Sequence, residues 1–519
     1  MAINSAAAIG QSRSPWYGYL AGLPLAATPA RNDRRLAFQW FHRRYVLAFC
    51  LGPSVALLIS SFFLPISIST LIAQLALGGS TLFSLWLLSD RPFLNPIQAF
   101  VLLFHWWFAV GPAVCALFYW AAGNTFVMEA YLPDDPTAVL IVAAGLPLYA
   151  VLARFTTSFF ARIRWRANCL CPSGWSYKFR TILIMVLTAG VAELVLAVFS
   201  FIGIRAYDST NYLGGQATAS TPLAVVASIV PLVNFALLGL FIYLILPNMR
   251  QKTWHFKALA LGILVISIGS ALTSGYKGLI IQPLFWAIAS YITWRQRIPW
   301  LAIGAAAVTY LVFVEPFVAT TRIAAQKAAI VTNEQREELF RESLANFSPG
   351  NMSWRALNLE SPFRGVYPHA VRIAADSDWF SGPWQGESLR NGMSAVIPRA
   401  LAPNKADSNM AHYFALELGE ADVNSPFHSI AISVPFECVG NYGWLAGIFS
   451  FGIIGIVWGG LITFILTPDR LSTHPLMPYC LTLLLAFEQS VGQFLNAAKL
   501  LVFPLAVIVI VWAIFGKDL

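Results

Sequence analysis

Three short polar stretches in an otherwise apolar chain hold the residues that could do chemistry. In "RNGMSAVIPRALAPNKADSNMAHYFALELG", Arg390, Arg399 and Lys405 stand among prolines and are followed by His412 and Tyr413. An arginine fork can bind phosphate through two parallel hydrogen bonds, proline fixes the backbone that presents it, and a histidine can carry a proton near neutral pH. In "TSGYKGLIIQ", Lys277 sits at a tight connection between two apolar runs, beside Ser274, Gly275 and Gly278. Such small residues let backbone N–H groups approach an anion at the start of the next helix, where the dipole is positive. In "SPFHSIAISVPFECVGNYGWLAG", His428, Glu437 and Asn441 lead into a long apolar run. A carboxylate held half-buried at a helix start, close to cations, is suited to general-base activation of a hydroxyl, so Glu437 leads as base, with His412 and His428 as the other candidates. Arg322, just past an apolar run, could face the same cavity. Together these groups suit an anionic, partly lipidic ligand.

Each stretch also has a plainer reading. Lys277 could be an interfacial lysine whose stem snorkels to the headgroups, and Arg322 an interfacial anchor. The proline-rich segment could be re-entrant, its cations meeting lipid phosphates. Glu437 could simply be an acid stabilised by a helix dipole. Glu193, Glu315 and Glu488 lie within or near apolar runs, where an ionised group is expensive and usually paired or turned to a cavity.

The elements that must position these residues are membrane helices. Of 519 residues, 58% are hydrophobic and only 11% charged, against roughly 25% charged in a soluble domain. Apolar runs long enough to cross a hydrocarbon core of about 30 Å recur along the chain, which predicts an all-α fold and excludes a β-barrel's short alternating segments. Spans are expected at about 46–65, 69–89, 98–121, 137–153, 181–204, 222–246, 256–274, 277–293, 299–319, 441–466, 476–495 and 499–515. No pair of broken helices stands out in this pattern.

Orientation follows from the short loops. With the N-terminus inside, the inner loops carry Arg91, then Arg154 to Arg180, then Arg250 to Lys257, then Arg295 and Arg297, then Arg470, as the positive-inside rule requires. The expected organisation is a basic cytoplasmic tail over 1–45, nine spans over 46–319, a large extracytoplasmic loop over 320–440 carrying the site, and three closing spans over 441–519 with a cytoplasmic C-terminus. The net charge of +9 comes mostly from these orienting residues, so nucleic acid is not an expected partner. Six scattered cysteines give no disulfide framework, and Cys169 and Cys171 lack the partners for a zinc site, so no metal or cofactor is expected. There is no Walker A sequence, no dinucleotide fingerprint, no HExxH and no nucleophile elbow. The long loop holds Trp354, Trp379, Phe380 and Trp384 and helix-like stretches such as "NEQREELFRESLANF", too aromatic and too balanced in charge to be disordered, so it is expected to fold against the membrane domain.

The last third resembles the Wzy-type O-antigen and exopolysaccharide polymerases, which are related in architecture to the O-antigen ligases. "IPRALAPNKADSNMAHYFALELG" is similar to that family's Ile-Pro-Arg, Pro-x-Lys, Tyr/Phe and Gly succession, "PFECVGNYGWLAG" to its Glu followed by Phe/Tyr-Gly, and "SGYKGL" to its Ser-x-Arg-Gly turn, with Lys277 in place of Arg. The resemblance implies a GT-C-like, metal-independent inverting glycosyltransferase in a bacterial inner membrane, joining oligosaccharide repeat units carried on undecaprenyl pyrophosphate. It also implies membrane lipids, a chain-length regulator and a flippase of the same pathway as partners. Lys277, Arg322, Arg390, Arg399 and Lys405 would then meet the pyrophosphate, Glu437 or a histidine would take the acceptor proton, and Trp379, Trp384, Tyr413 and Asn441 would contact sugar. An O-antigen ligase, a transporter or flippase for lipid-linked sugars, and a scaffold of an export complex stay open as alternatives.

Overall fold

Long apolar runs without strand-like alternation form helices because, away from water, every backbone N–H and C=O must find a partner within its own segment. A computed structural model of the chain describes residues 31–89, 96–121, 131–162, 366–393, 411–419, 430–465 and 477–500 almost continuously, with shorter stretches between 187 and 309. Among the described residues every regular element is helical. The chain divides into two units, Met1–Ala48 and Phe49–Leu519; the first is described only from Arg31, as the start of a helix.

The first helices are α1 (Arg31–Ser60), α2 (Ile68–Leu87), α3 (Pro96–His105), α4 (Gly111–Ala121) and α5 (Thr137–Arg162). A π-helical turn, Trp106–Val110, joins α3 to α4, so that Pro96–Ala121 runs as one apolar rod. After α6 (Trp300–Thr309) come three short helices, α7 (Tyr367–Ala375), α8 (Glu387–Met393) and α9 (Ala411–Glu417). The chain then forms α10 (Val434–Ile465), α11 (Met477–Ala486) and α12 (Val491–Leu500). Four segments, Ile68–Leu87, Pro96–Ala121, Thr137–Phe160 and Val434–Ile462, are long and apolar enough to cross a membrane, and Arg44–Ser60 is a shorter apolar helix.

Two of the expected spans differ in form. The run expected at 476–495 is two helices, α11 and α12, separated by a turn at Phe487 and Glu488. The run expected from 441 begins earlier, at Val434, and is broken at Gly443, whose φ of 83° and ψ of −178° are not helical. Apolar composition taken over the length of a span does not register either break, because the long apolar stretches on both sides outweigh the few polar residues at it.

The core is built around α10. Its second half lies against α5 through glycines: a side chain at Gly455 would sit 2.5 Å from the Tyr149 carbonyl oxygen, and one at Gly459 2.9 Å from that of Ala153. This is the small-residue packing that lets membrane helices approach backbone to backbone. In the other direction, Phe451 fills the space left by Gly145. Around them Phe100, Phe104, Phe108, Tyr149 and Phe436 are fully buried, with Phe100 stacked on Tyr149 and Phe108 on Phe436. Several polar groups in this region find partners across helices: Trp458 Nε1 donates to the Pro96 carbonyl, and His105 bonds Thr81 through Nδ1 and the Phe49 carbonyl through Nε2, both at 3.0 Å. A carbonyl only accepts, so His105 carries its proton on Nε2.

Candidate functional site

Glu437 lies in the first turn of α10, and the breaks in α10 and between α11 and α12 decide what surrounds it. Helix starts leave N–H groups without partners. Here the start of α10 meets the turn after α11: Ser433 N–H donates to the Glu488 carbonyl at 2.8 Å and Val434 N–H to that of Phe487 at 3.1 Å. The start of α12 is satisfied in return by a side chain, since Val491 N–H donates to Glu437 Oε2 at 2.5 Å. A carboxylate at a helix N-terminus also meets the positive end of its dipole. The other oxygen, Oε1, accepts from Ser388 Oγ of α8 at 3.0 Å. Asn441, one turn further along α10, donates from Nδ2 to Ser388 Oγ at 2.7 Å and to the Glu437 carbonyl at 2.6 Å.

Glu437 is therefore a buried clamp on three helices, α8, α10 and α12, with no exposed surface, rather than the half-buried group expected at a helix start. The approach of α8 to α12 requires Gly392, because a side chain there would meet the backbone nitrogen of Gly492 at 3.0 Å. Asn441 Oδ1 and Ser433 Oγ are buried and have no hydrogen-bond partner among the described residues. Among those residues the non-glycine positions with positive φ are Ser433, at 63°, and Gln385, at 47°, and both lie in this region. Such backbone costs about 1–2 kcal/mol per residue and persists only where surrounding contacts enforce it.

The segment before α8 closes over the break in α10. Trp384 N–H donates to the Gly440 carbonyl at 2.8 Å, and its ring covers Gly440, where any side chain would overlap the indole. The same ring packs on Phe414 of α9, with centroids 4.9 Å apart. Trp384 is thus mostly core, only 5% exposed. Beyond it Pro383, Trp384, Gln385, Gly386, Glu387, Arg390 and Tyr442 line an open cleft of about 630 Å³. Glu387 and Arg390 are on the exposed face of α8, whereas Ser388 and Gly392 are on its buried face. One short helix therefore presents a carboxylate and a guanidinium to the cleft and holds Glu437 from behind.

Of the residues expected at a site, the structure brings together Glu437 and Asn441, in direct contact through Ser388, and places Arg390 and Trp384 at the cleft beside them. Tyr413 is on α9, half-buried against Phe414; burial, then Glu417 and Glu387, push its phenol up to about 12, so it stays neutral and can donate a hydrogen bond. Trp379 is 53% exposed on the turn after α7, away from the cleft lining. His412 belongs to α9, but its side chain lies outside the described residues, as do Lys277, Arg322, Arg399, Lys405 and His428 altogether. Four residues not marked by type and spacing also belong to the site: Ser388, Glu387, Gln385 and Tyr442. Tyr442 stands inside the motif that contains Glu437, but nothing in the sequence links Ser388 to a residue 49 positions away. Among the described residues no three His, Cys, Asp or Glu side chains gather as metal ligands do.

Comparison with protein-family models, with curated proteins and with solved structures finds no match for this chain.

Proposed function

We propose that this chain is a membrane glycosyltransferase that joins oligosaccharide repeat units carried on undecaprenyl pyrophosphate. In this reading it is a GT-C-like protein of a bacterial inner membrane with about twelve spans and both termini cytoplasmic, its 320–440 loop periplasmic. Two things support the reading: the motif resemblance in the last third, and the arrangement around α8. The single observation that carries it is that arrangement, an open cleft bearing Arg390 and Glu387 built directly on the buried Glu437–Ser388–Asn441 cluster.

The reaction would run as follows. A hydroxyl of the acceptor unit attacks the anomeric carbon of the donor chain from the face opposite the leaving group. The new C–O bond forms as the bond to pyrophosphate breaks, undecaprenyl pyrophosphate departs with the electron pair, and the hydroxyl proton passes to a base. Arg390, with Lys277, Arg322, Arg399 and Lys405, supplies positive charge to the pyrophosphate, so the step needs no divalent ion. Glu387 is open to the cleft and joins Glu437, His412 and His428 as a candidate base. Tyr442 and Tyr413 offer aromatic faces and hydroxyls to sugar. A chain-length regulator and a flippase would act beside it.

The test is the size of lipid-linked glycan in membranes of a deletion strain complemented with wild type, Arg399→Ala, Arg390→Ala or Glu387→Gln, with protein levels checked in parallel. Single repeat units should accumulate with each normally expressed variant. Long polymer on undecaprenyl pyrophosphate in the deletion strain itself would overturn the proposal in favour of ligation or transport.

A further inference from the structure

We infer that Trp379 and Phe380 form a wedge seated in the membrane, at the boundary between lipid headgroups and acyl chains, and that this wedge sets the adjoining cleft at headgroup level. Both side chains stand at the surface: Phe380 is 79% exposed and Trp379 53%. They are also held out, because the turn that carries them is built by Asp378. Its Oδ1 accepts from Phe380 N–H at 2.9 Å and Ser381 N–H at 2.8 Å, and its Oδ2 from Ser381 Oγ at 2.9 Å.

The position of the turn along α10 argues for lipid as the occupant. Where Gly443 breaks the helix, the second half restarts with free N–H groups, and the turn supplies their acceptors: Trp444 N–H donates to the Asp378 carbonyl at 2.8 Å and Leu445 N–H to that of Trp379 at 3.2 Å. The Trp379 and Trp444 rings meet edge to face at 5.2 Å, and Trp444 Nε1 donates to the Ala374 carbonyl. Gly443 is required at this junction, since a side chain there would lie 2.5 Å from the Asp378 oxygen. From Leu445 to Ile465 the helix is about 30 Å long at a rise of about 1.5 Å per residue, which is the thickness of a bilayer's hydrocarbon core.

If that half spans, the turn stands where the hydrocarbon ends. Along this half α10 exposes Phe449, Ile453, Ile456 and Val457 at helical spacing, an apolar stripe, and at the broken end of the same helix Tyr442, Trp379 and Phe380 are exposed as well. Aromatic side chains at the end of an apolar stripe are the pattern of a membrane-interface belt. The exposed Asp376 and Asp378 mark the watery side of the same turn. Tyr442 belongs both to this aromatic edge and to the cleft, so a ligand borne on a lipid could reach the cleft without leaving the membrane surface.

The inference is independent of the proposed reaction, and so is its test. The full chain with Phe380→Cys, in a background stripped of its reactive cysteines, is labelled with an environment-sensitive fluorophore and reconstituted in phosphatidylcholine vesicles. Spin-labelled phosphatidylcholine carrying the label near the headgroup should quench it several-fold more than lipid labelled near the chain end, and iodide should quench it several-fold less than the same probe at Asp376→Cys. Iodide quenching equal to that control, without lipid quenching, would overturn the inference. So would protection from both quenchers, the mark of a protein partner or a second copy on the wedge. If the cysteine variant does not fold, a benzophenone amino acid at position 380 gives the same decision, with a lipid adduct supporting the inference and a protein crosslink overturning it.

Discussion

The two halves of α10, divided at Gly443, are held in place by different physics. The second half packs on α5 through Gly455 and Gly459 against carbonyls, and its stability is a matter of shape. The first half is held by directed hydrogen bonds, from Ser433 and Val434 N–H to the turn after α11, from Ser388 Oγ of α8 and Val491 N–H of α12 to the Glu437 carboxylate, and from Asn441 Nδ2 to Ser388. Shape packing tolerates no added volume but has no protons to misplace. A buried polar cluster adds a second demand: it fails when a partner is left unpaired. An apolar helix face suits the first kind of contact, and a helix start, whose N–H groups need partners, suits the second.

The largest effect should come from breaking the shape-packed half. Gly455→Leu forces a side chain into the Tyr149 backbone and should destabilise the protein by at least about 3 kcal/mol, read as loss of a monodisperse peak in detergent. Next is the polar half. Glu437→Ala leaves Val491 N–H and Ser388 without an acceptor in a buried site and should cost about 3 kcal/mol, whereas Glu437→Gln, which keeps one acceptor oxygen, should cost about 1 kcal/mol. Thermal unfolding in one detergent ranks them, and equal losses would show that volume rather than hydrogen bonding matters there. Smaller still, Asn441→Ala should cost about 1 kcal/mol. Combined with Ser388→Ala it should be less than additive, because the two share a hydrogen bond.

The smallest effect lies at the turn where the two halves meet. The N–H of Phe380 and the hydroxyl and N–H of Ser381 hold the Asp378 carboxyl below its usual range. A group with a lowered folded pKa stabilises the turn fully above the unfolded value of about 3.9 and loses that contribution as pH falls through the lower folded value. Hydrogen-exchange protection of the Phe380 and Ser381 amides should therefore be flat from neutral pH down to about 5, and Asp378→Asn should lower it throughout that range.

How far the sequence could be read depended on whether a property is local. The apolar runs at 69–89, 98–121 and 137–153 lie on helices Ile68–Leu87, Pro96–Ala121 and Thr137–Phe160, because twenty or so apolar residues specify a helix by themselves. Glu437 and Asn441 stood out as polar residues entering an apolar run, and they do meet, being one helical turn apart. Ser388 and the Val491 amide could not be foreseen, since their link to Glu437 joins three separate elements. Trp384, expected to face sugar, lines the cleft with one edge while its ring covers Gly440, a contact no local pattern encodes.

Because hydropathy and charge act residue by residue, the order of the amino acids specified a helical chain with segments apolar enough to cross a membrane, and the stretches that carry its cations and carboxylates. Packing of the helices on one another settles the rest: α10 breaks at Gly443, the run after it divides into two helices, and Glu437 is a buried clamp behind an open cleft. Those outcomes rest on satisfying backbone N–H groups and a carboxylate with partners distant along the chain, which is settled only when the helices meet.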